Sequence, residues 1–395
     1  MRGSRVGKVA TAWVLLLVVA SVAIPSLGQA NRPSIPDDAP CGAVKDWQIR
    51  IHQASDVAAV RASLIQYIWG TNPREPRVAA DTGLTNVADI GPLAGAKIQK
   101  LTVTMEDDVK GYAYYIVPTN PISSLVVVHA GHQNGFNEGG GLEGIIQKLV
   151  ATGFSVLAVY MPGFSPFDKS GHARLYGRPN FFHFFFDTTT YGLRYVRRYV
   201  ALHPKEFPFP SYKTYSMMGL SGGGWTTTLY AAIDPSISLS FPVAGSLPLS
   251  LRDPKSSNCG GGDAEQYFAG LYKRYGYADL YILGSAGRGR KQVQILNAND
   301  SCCFAVHGYD QTSQASTRGT VQTPAGVPID ALRAYESRVQ RVMYRLGLQG
   351  TFQLEIDHYA DNRPDGHMVS PWAWDTVILP QLDLAADKFH EQVYP

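Results

Sequence analysis

The sequence predicts an α/β fold in which helices cover both faces of a mostly parallel central sheet. Short apolar runs typical of buried strands alternate with helical segments from about residue 125 onward, the pattern of βαβ units. The 395 residues are 45% hydrophobic, enough to bury one large core. Charged residues make up only 17% of the chain, and no internal repeat is found, which excludes a disordered or repeat protein.

The first predicted elements lead into the sheet. Residues 31 to about 60 contain Pro33, Pro36 and Pro40 and are expected to form an extended leading segment. Runs at 101–105 and 111–117 suit an antiparallel pair at a sheet edge. The continuous apolar run 125–129 is typical of a strand buried on both faces.

Helices and strands then alternate to the end of the chain. Right-handed crossovers between parallel strands are expected to connect them. Asp330 is the expected N-cap of the clearest helix, which Gly347 ends. The predicted strands are 154–160, 212–218, 237–243, 292–297 and 351–356, and the predicted helices are 144–151, 188–202, 225–233, 330–346 and 372–382.

The N-terminus resembles a secretory signal peptide. Arg2, Arg5 and Lys8 precede an apolar stretch at 11–24, which small residues follow up to Ala30. This stretch is shorter than the roughly 20 residues that span a bilayer, so we expect cleavage after Ala30 rather than a stable membrane anchor. The predicted divisions are a signal peptide at 1–30, an N-terminal extension packing on the domain at 31–100, and one main domain at 101–395, secreted or periplasmic.

Charge and cysteine content narrow the possible partners. The formal net charge of +3 is carried by the leader, and no basic stretch suggests a nucleic-acid partner. Four cysteines in an exported chain predict one or two disulfides, with Cys259 bonded to Cys302 or Cys303 and Cys41 to the other. The sequence leaves this pairing and the oligomeric state open.

The segment 219–224 carries the strongest chemical motif, Gly-Leu-Ser-Gly-Gly-Gly. It fits Gly-x-Ser-x-Gly between a predicted strand and a predicted helix, a turn that presents Ser221 as a nucleophile. Glycines at 219 and 223 avoid collisions in so tight a turn. The amide of Gly222, at the start of the helix, is the expected donor to an oxyanion.

A serine nucleophile needs a base and an acid that orients the base. His367 lies in a glycine-containing loop after the last strand, and Asp300 follows a strand end, so both are expected near Ser221. His358 is the alternative base. Asp253 and Asp263 are the alternative acids.

The motif and the chain order Ser221, Asp300, His367 resemble the α/β-hydrolase superfamily, in its secreted esterase, lipase or dienelactone-hydrolase-like branches. The resemblance covers about 101–395 and implies the α/β-hydrolase fold and a catalytic domain there. It also implies a second oxyanion donor after the third strand, where this chain has Gly131, with His132 as the alternative. An alanine stands at 130, where glycine is usual.

The resemblance implies hydrolysis of carboxylic esters, in small molecules or polymers, through an acyl-enzyme and without a cofactor. The alternatives are a secreted serine peptidase of the same fold and a binding protein that has lost activity.

Three further motifs receive lesser roles. His129 and His132 lack a nearby carboxylate or third ligand in the sequence, so no metal site is expected. The Gly-x-Gly-x-x-Gly run at 139–144 begins too far after a strand to bind a dinucleotide. The aromatic run at 181–186 either lines a substrate pocket, through Phe182 and Phe185, or belongs to the core.

Overall fold

The computed structural model describes residues 48–93, 95–252, 262–298, 300, 302, 304, 306–307, 327–359 and 366–390. All of them belong to one compact unit. The predicted signal peptide and Cys41, Cys259 and Cys303 lie outside the described residues, so cleavage and disulfide pairing stay predictions. Within these ranges, no helix combines the length and the apolar character needed to cross a membrane.

A nine-stranded sheet in the order β1-β2-β3-β5-β4-β6-β7-β8-β11 runs through the described part of the chain. The pairs β1–β2, β2–β3 and β3–β5 are antiparallel and the other neighbours are parallel. A short parallel pair, β9 with β10, lies apart from this sheet. The strands are β1 (Arg77–Leu84), β2 (Lys97–Thr104), β3 (Lys110–Val117), β4 (Ser124–His129), β5 (Ser155–Val159), β6 (Thr214–Leu220), β7 (Ile237–Val243), β8 (Lys291–Asn297), β9 (Val306–His307), β10 (Val327–Pro328) and β11 (Thr351–Asp357).

Helices connect the parallel strands and cover the sheet. A π-helical segment, Ala373–Ile378, precedes the last of them. The helices are α1 (Asp56–Trp69), α2 (Leu142–Ala151), α3 (His183–Leu202), α4 (Gly222–Ile233), α5 (Ala269–Tyr272), α6 (Tyr277–Ser285), α7 (Ile329–Arg345) and α8 (Leu379–His390).

The central strands bury side chains on both faces because helices pack against each face. In β4, Leu125 and Val127 join the hydrophobic cluster that includes residues of α3, α4, α6 and α7. Val126 and Val128 join the cluster that includes residues of α2, the π-helical segment and α8. This alternation confirms that the apolar run is a strand buried on both sides.

Several boundaries differ from the sequence expectations. Helix α1 begins at Asp56, inside the segment expected to be extended, and β1 and β2 place sheet strands before residue 101. The N-cap assignment of Asp330 is wrong, because α7 begins at Ile329. Helix α6 was not predicted: all nine of its residues are buried, so its sequence lacks the amphipathic period of a surface helix.

Asp279 in α6 fixes the chain that precedes α1. Its Oδ1 accepts hydrogen bonds from the amides of Arg50 at 2.8 Å and Ile51 at 3.3 Å. Burial raises the pKa of this carboxyl group to about 6, against the lowering effect of the two amides. Its Oδ2 is buried without a hydrogen-bond partner among the described residues.

The raised pKa of Asp279 predicts that the protein loses stability as the pH rises, and that the Asp279→Asn substitution abolishes this loss. Below about pH 4 the carboxyl group is protonated in both the folded and the unfolded chain, whereas between about pH 4 and 6 it ionises first in the unfolded chain. The stability of the wild type should therefore fall by about 3 kcal/mol relative to Asp279→Asn as the pH rises through that window. Urea unfolding of both proteins at pH 4 and pH 7 measures the difference, and two parallel pH profiles would contradict the prediction.

Candidate active site

Ser221 lies at the sharp turn between β6 and α4, as the motif predicts. Its backbone has φ 59° and ψ −125°, a conformation that is strained for a residue with a side chain. The Ser221 amide donates to Val243 O at 3.0 Å, and the Trp225 amide donates to Ser221 O at 2.9 Å. The neighbouring strand and the first turn of α4 therefore hold the serine in this conformation.

The glycines on either side of Ser221 are required by close backbone contacts. A Cβ atom at Gly219 would overlap the carbonyl group of Gly223, and a Cβ atom at Gly223 would overlap the carbonyl oxygen of His129. Both obstacles are backbone atoms, which a rotamer change does not move. The steric reason for the Gly-x-Ser-x-Gly spacing thus holds in this chain.

We expect Gly223→Ala to destabilise the protein by about 1–3 kcal/mol, the usual cost of overpacking. Gly144→Ala is the matched control, because nothing lies within 4 Å of a Cβ atom there. Alanine in the helix at that position should stabilise by about 0.5–1 kcal/mol. Thermal unfolding of the two variants should give shifts of opposite sign, and equal shifts would contradict this account of the turn.

The structure brings the predicted base and acid together. Both carboxylate oxygens of Asp300 lie 3.0 Å from His367 Nδ1. The Asp300 side chain is fully buried and that of His367 is 11% exposed. Asp300 Oδ1 also accepts from the Cys302 amide at 2.8 Å. The carboxylate is therefore fixed on one side of the imidazole and leaves Nε2 to face other groups.

Three hydrogen bonds hold the loop that carries His367 in place. Asn297, the last residue of β8, donates from Nδ2 to Gly366 O at 2.6 Å and to Met368 O at 2.9 Å. The Val369 amide donates to Gly140 O at 2.9 Å. A Cβ atom at Gly140 would overlap the side chain of Leu220, which precedes Ser221. The glycine run at 139–141 is thus a close-packing segment that joins the His367 loop to the turn at Ser221.

The alternative residues have other surroundings. Asp263 lies 3.0 Å from His132 Nδ1. Asp253 lies outside the described residues. His358 directly follows β11, whereas the contact with Asp300 is made by His367. The contact between His367 and Asp300 favours these two residues over the alternatives.

The residues expected to bind an oxyanion lie beside Ser221. A Cβ atom at Gly131 would be 2.8 Å from Ser221 Cβ, so the two backbones are in close contact. The Gly131 amide donates to Gln133 Oε1 at 3.2 Å. Gly222 is the first residue of α4, where amides have no partner within the helix. A Cβ atom at Gly222 would lie 2.8 Å from His132 Nδ1, so the His132 ring packs directly against Gly222.

A cluster of polar side chains that the sequence analysis missed surrounds His132. His132 Nε2 lies 3.1 Å from Glu265 Oε1, and its Nδ1 faces Asp263. Tyr176 donates to Glu265 Oε2 at 2.6 Å, and His172 Nδ1 lies 3.5 Å from the same oxygen. These groups come from the loops that follow β4, β5 and β7, which lie far apart in the sequence, so sequence proximity gave no signal for the cluster.

Charges in this cluster are strongly coupled. Burial lowers the pKa of His132. The hydrogen bonds to Asp263 and Glu265 outweigh burial and raise the pKa to about 10. Burial raises the pKa of Glu265, yet the charges of His172 and His132 hold it well below its usual range. Glu265 is therefore an ionised carboxylate with no solvent exposure.

His129 does not belong to this cluster. Its Nδ1 donates to Ala130 O at 2.7 Å. Burial lowers the pKa of His129 to about 4, so the ring is neutral at pH 7. The two histidines paired in the sequence analysis thus have separate surroundings.

Phe182 and Phe185 are buried in the core around Trp225. Their ring centroids lie 6.3 Å and 5.4 Å from that of Trp225. The Phe185 ring also lies 4.8 Å from the ring of His172, edge to face. These contacts suit the core interpretation, and the lining of a substrate pocket by the two rings stays a prediction.

Comparisons with known proteins identify the fold. No protein-family model matches the sequence, and no curated protein matches it. The solved structure of a glucuronoyl esterase from Solibacter usitatus is similar, with a TM-score of 0.51 and 12% identity, over 83% of this chain and 91% of that one. An acetyl xylan esterase from Paenibacillus sp. R4 has a TM-score of 0.48 and 12% identity, over 88% and 99%.

The strand order, the turn at Ser221 and the similarity to the glucuronoyl esterase together show an α/β-hydrolase fold. The predicted fold class is confirmed, and the resemblance to the α/β-hydrolase superfamily holds at the level of the fold. At this level of identity, activity and substrate have to be argued from the site itself.

Proposed function

We propose that this chain, which has the α/β-hydrolase fold, hydrolyses carboxylic esters through an acyl-enzyme formed on Ser221. The observation that carries the proposal is the contact between His367 Nδ1 and the buried Asp300 carboxylate. Asp300 holds the Nδ1 proton, so Nε2 is the nitrogen with a lone pair to accept the serine proton. The tie between Val369 and Gly140, which packs on Leu220, supports the approach of this ring to Ser221.

In the first half-reaction, Ser221 Oγ attacks the ester carbonyl carbon while its proton passes to His367 Nε2. The carbonyl oxygen becomes an oxyanion, and the imidazolium then gives its proton to the leaving alcohol as the C–O bond breaks. In the second half, His367 takes a proton from water, which attacks the acyl carbon. The acid leaves and Ser221 regains its proton.

Two backbone amides are proposed to bind the oxyanion. Gly222 is one, because it begins α4 directly after the nucleophile. For the second we choose His132 over Gly131, since the Gly131 amide already donates to Gln133 Oε1. This choice uses the alternative that the sequence analysis left open.

Compartment and disulfides complete the proposal. The predicted leader would deliver the chain to the periplasm or the medium, where its substrates would be small-molecule or polymer esters and its cysteines would pair. N-terminal sequencing of the exported protein tests cleavage after Ala30. An intact leader on the exported chain would contradict it.

A fluorophosphonate probe tests the proposed activity on the full chain. We expect one covalent label, mapped to Ser221 by peptide mass spectrometry, and none on heat-denatured protein. A set of p-nitrophenyl esters compared with peptide anilides then tests the bond cleaved. Faster cleavage of the anilides would favour a peptidase, and folded protein that takes no label would favour a binding protein.

A further inference from the structure

The groups around His132 form a compact set of metal-ligand types. One ligand atom from each of His132, His172 and Glu265 lies within 4.8 Å of the other two. The three residues come from the loops that follow β4, β5 and β7. Parallel strands bring these loops to one edge of the sheet, the edge that carries Ser221.

The surrounding hydrogen bonds are those that support metal ligands. A ligating histidine usually donates its other ring N–H to a carboxylate, and Asp263 lies 3.0 Å from His132 Nδ1. A ligating carboxylate is usually hydrogen-bonded itself, and Tyr176 donates to Glu265 Oε2. These two contacts orient His132 Nε2 and Glu265 Oε1, which are 3.1 Å apart.

The balance of charge and hydrogen bonds favours a cation in the cluster. Asp263 and Glu265 bring two negative charges, and Glu265 is fully buried. His172 Nε2 is buried and has no hydrogen-bond partner among the described residues. A divalent ion placed among these groups would balance the charges of both carboxylates.

We propose that His132, His172 and Glu265 bind a zinc ion, with Asp263 and Tyr176 as supporting hydrogen-bond partners. Two imidazole nitrogens and a carboxylate oxygen are ligand types that zinc prefers. The ion would bind His132 at Nε2, the ring nitrogen that faces Glu265. The His132 side chain is 16% exposed, which gives the ion a route from solvent.

The site would fasten the active-site loops to one another. The His132 ring packs against Gly222, so holding the ring also holds the segment beside the oxyanion-binding amides. The role is structural, and zinc binding does not depend on ester hydrolysis. The inference therefore goes beyond the proposed function and is measured separately from it.

Zinc content of the full chain tests the site directly. Protein stripped with a chelator, reloaded with zinc and desalted should retain one zinc per chain by mass spectrometry of the metal. Tyr176→Phe should weaken zinc binding about 10–100-fold, the usual effect of losing a supporting partner. Glu265→Gln and His172→Ala should weaken it further, and His52→Ala, an exposed histidine outside the cluster, should bind like the wild type.

Two measurements on the wild type keep the test independent of variant folding. Cobalt(II) loading should give the visible absorption of a four- or five-coordinate site, and zinc should displace it. Nitrogen-15 NMR should show His132 Nε2 without a proton in the zinc-loaded protein. A wild type that retains no stoichiometric zinc, or a doubly protonated His132 in excess zinc, would overturn the site. Fluorophosphonate labelling, measured in parallel, reports on the proposed function alone.

Discussion

Replacing Ser221 by alanine should lower kcat/KM for the best p-nitrophenyl ester by about 10⁴–10⁶-fold, because the variant lacks the hydroxyl group on which the proposed acyl-enzyme forms. The turn itself should survive, since the contacts that hold it use the backbone of residue 221. Alanine also keeps the positive φ value at no greater steric cost than serine. Steady-state kinetics and circular dichroism of the purified variant measure the two effects.

Ser170→Ala is the control for this experiment, because Ser170 is exposed and lies in a loop between β5 and α3. It should keep the wild-type rate and take up the fluorophosphonate label. If the Ser221→Ala protein hydrolyses esters at a rate close to that of the wild type, the nucleophile has been assigned to the wrong residue.

Replacing Asp300 by asparagine should lower kcat by about 10⁴-fold with little change in KM. The amide has nearly the same shape, but it no longer carries the charge that stabilises the imidazolium, and it favours the wrong tautomer of His367. Asp300 is buried behind the ring and is not expected to touch the substrate. Initial rates over a range of substrate concentrations separate the two parameters.

Asp375→Asn is the surface control for Asp300→Asn, since Asp375 is exposed and pairs only loosely with Lys148, at 3.8 Å.

We also expect the rate of His358→Ala to stay within about tenfold of the wild-type rate. Loss of a general base typically lowers the rate by about 10²–10⁴-fold, and His358 is not the proposed base. A severe loss in His358→Ala, with a mild loss in Asp300→Asn, would reverse the assignment of the base.

The sequence was informative wherever local chemistry determines the structure. The strand, turn and helix around Ser221 follow from steric demands within five residues, and the structure reproduces them. The burial of β4 on both faces was likewise predicted from a local feature, its continuous run of apolar residues. Asp300 and His367 were found because parallel strands deliver their loops to one edge, a rule that needs only strand order.

Features that depend on the assembled chain were missed. Glu265 meets His132 across 133 positions, and neither residue has a local pattern that marks the pairing. Strand β1 is mostly exposed, so it lacks the apolar alternation that identifies a half-buried strand. The Gly131 amide donates to the side chain of Gln133, and the orientation of that side chain cannot be predicted from the hydrophobic pattern of the sequence.

The position of β11 has a consequence for the order in which the proposed catalytic groups are synthesised. Among the described strands, β11 pairs with β8 at the border of the sheet, and the segment bearing the imidazole follows it in the chain. Strands β1 to β8 and the turn at Ser221 all precede that segment in the chain, so they are synthesised before it. Under the proposed mechanism, the general base would be the last of the three catalytic groups to leave the ribosome.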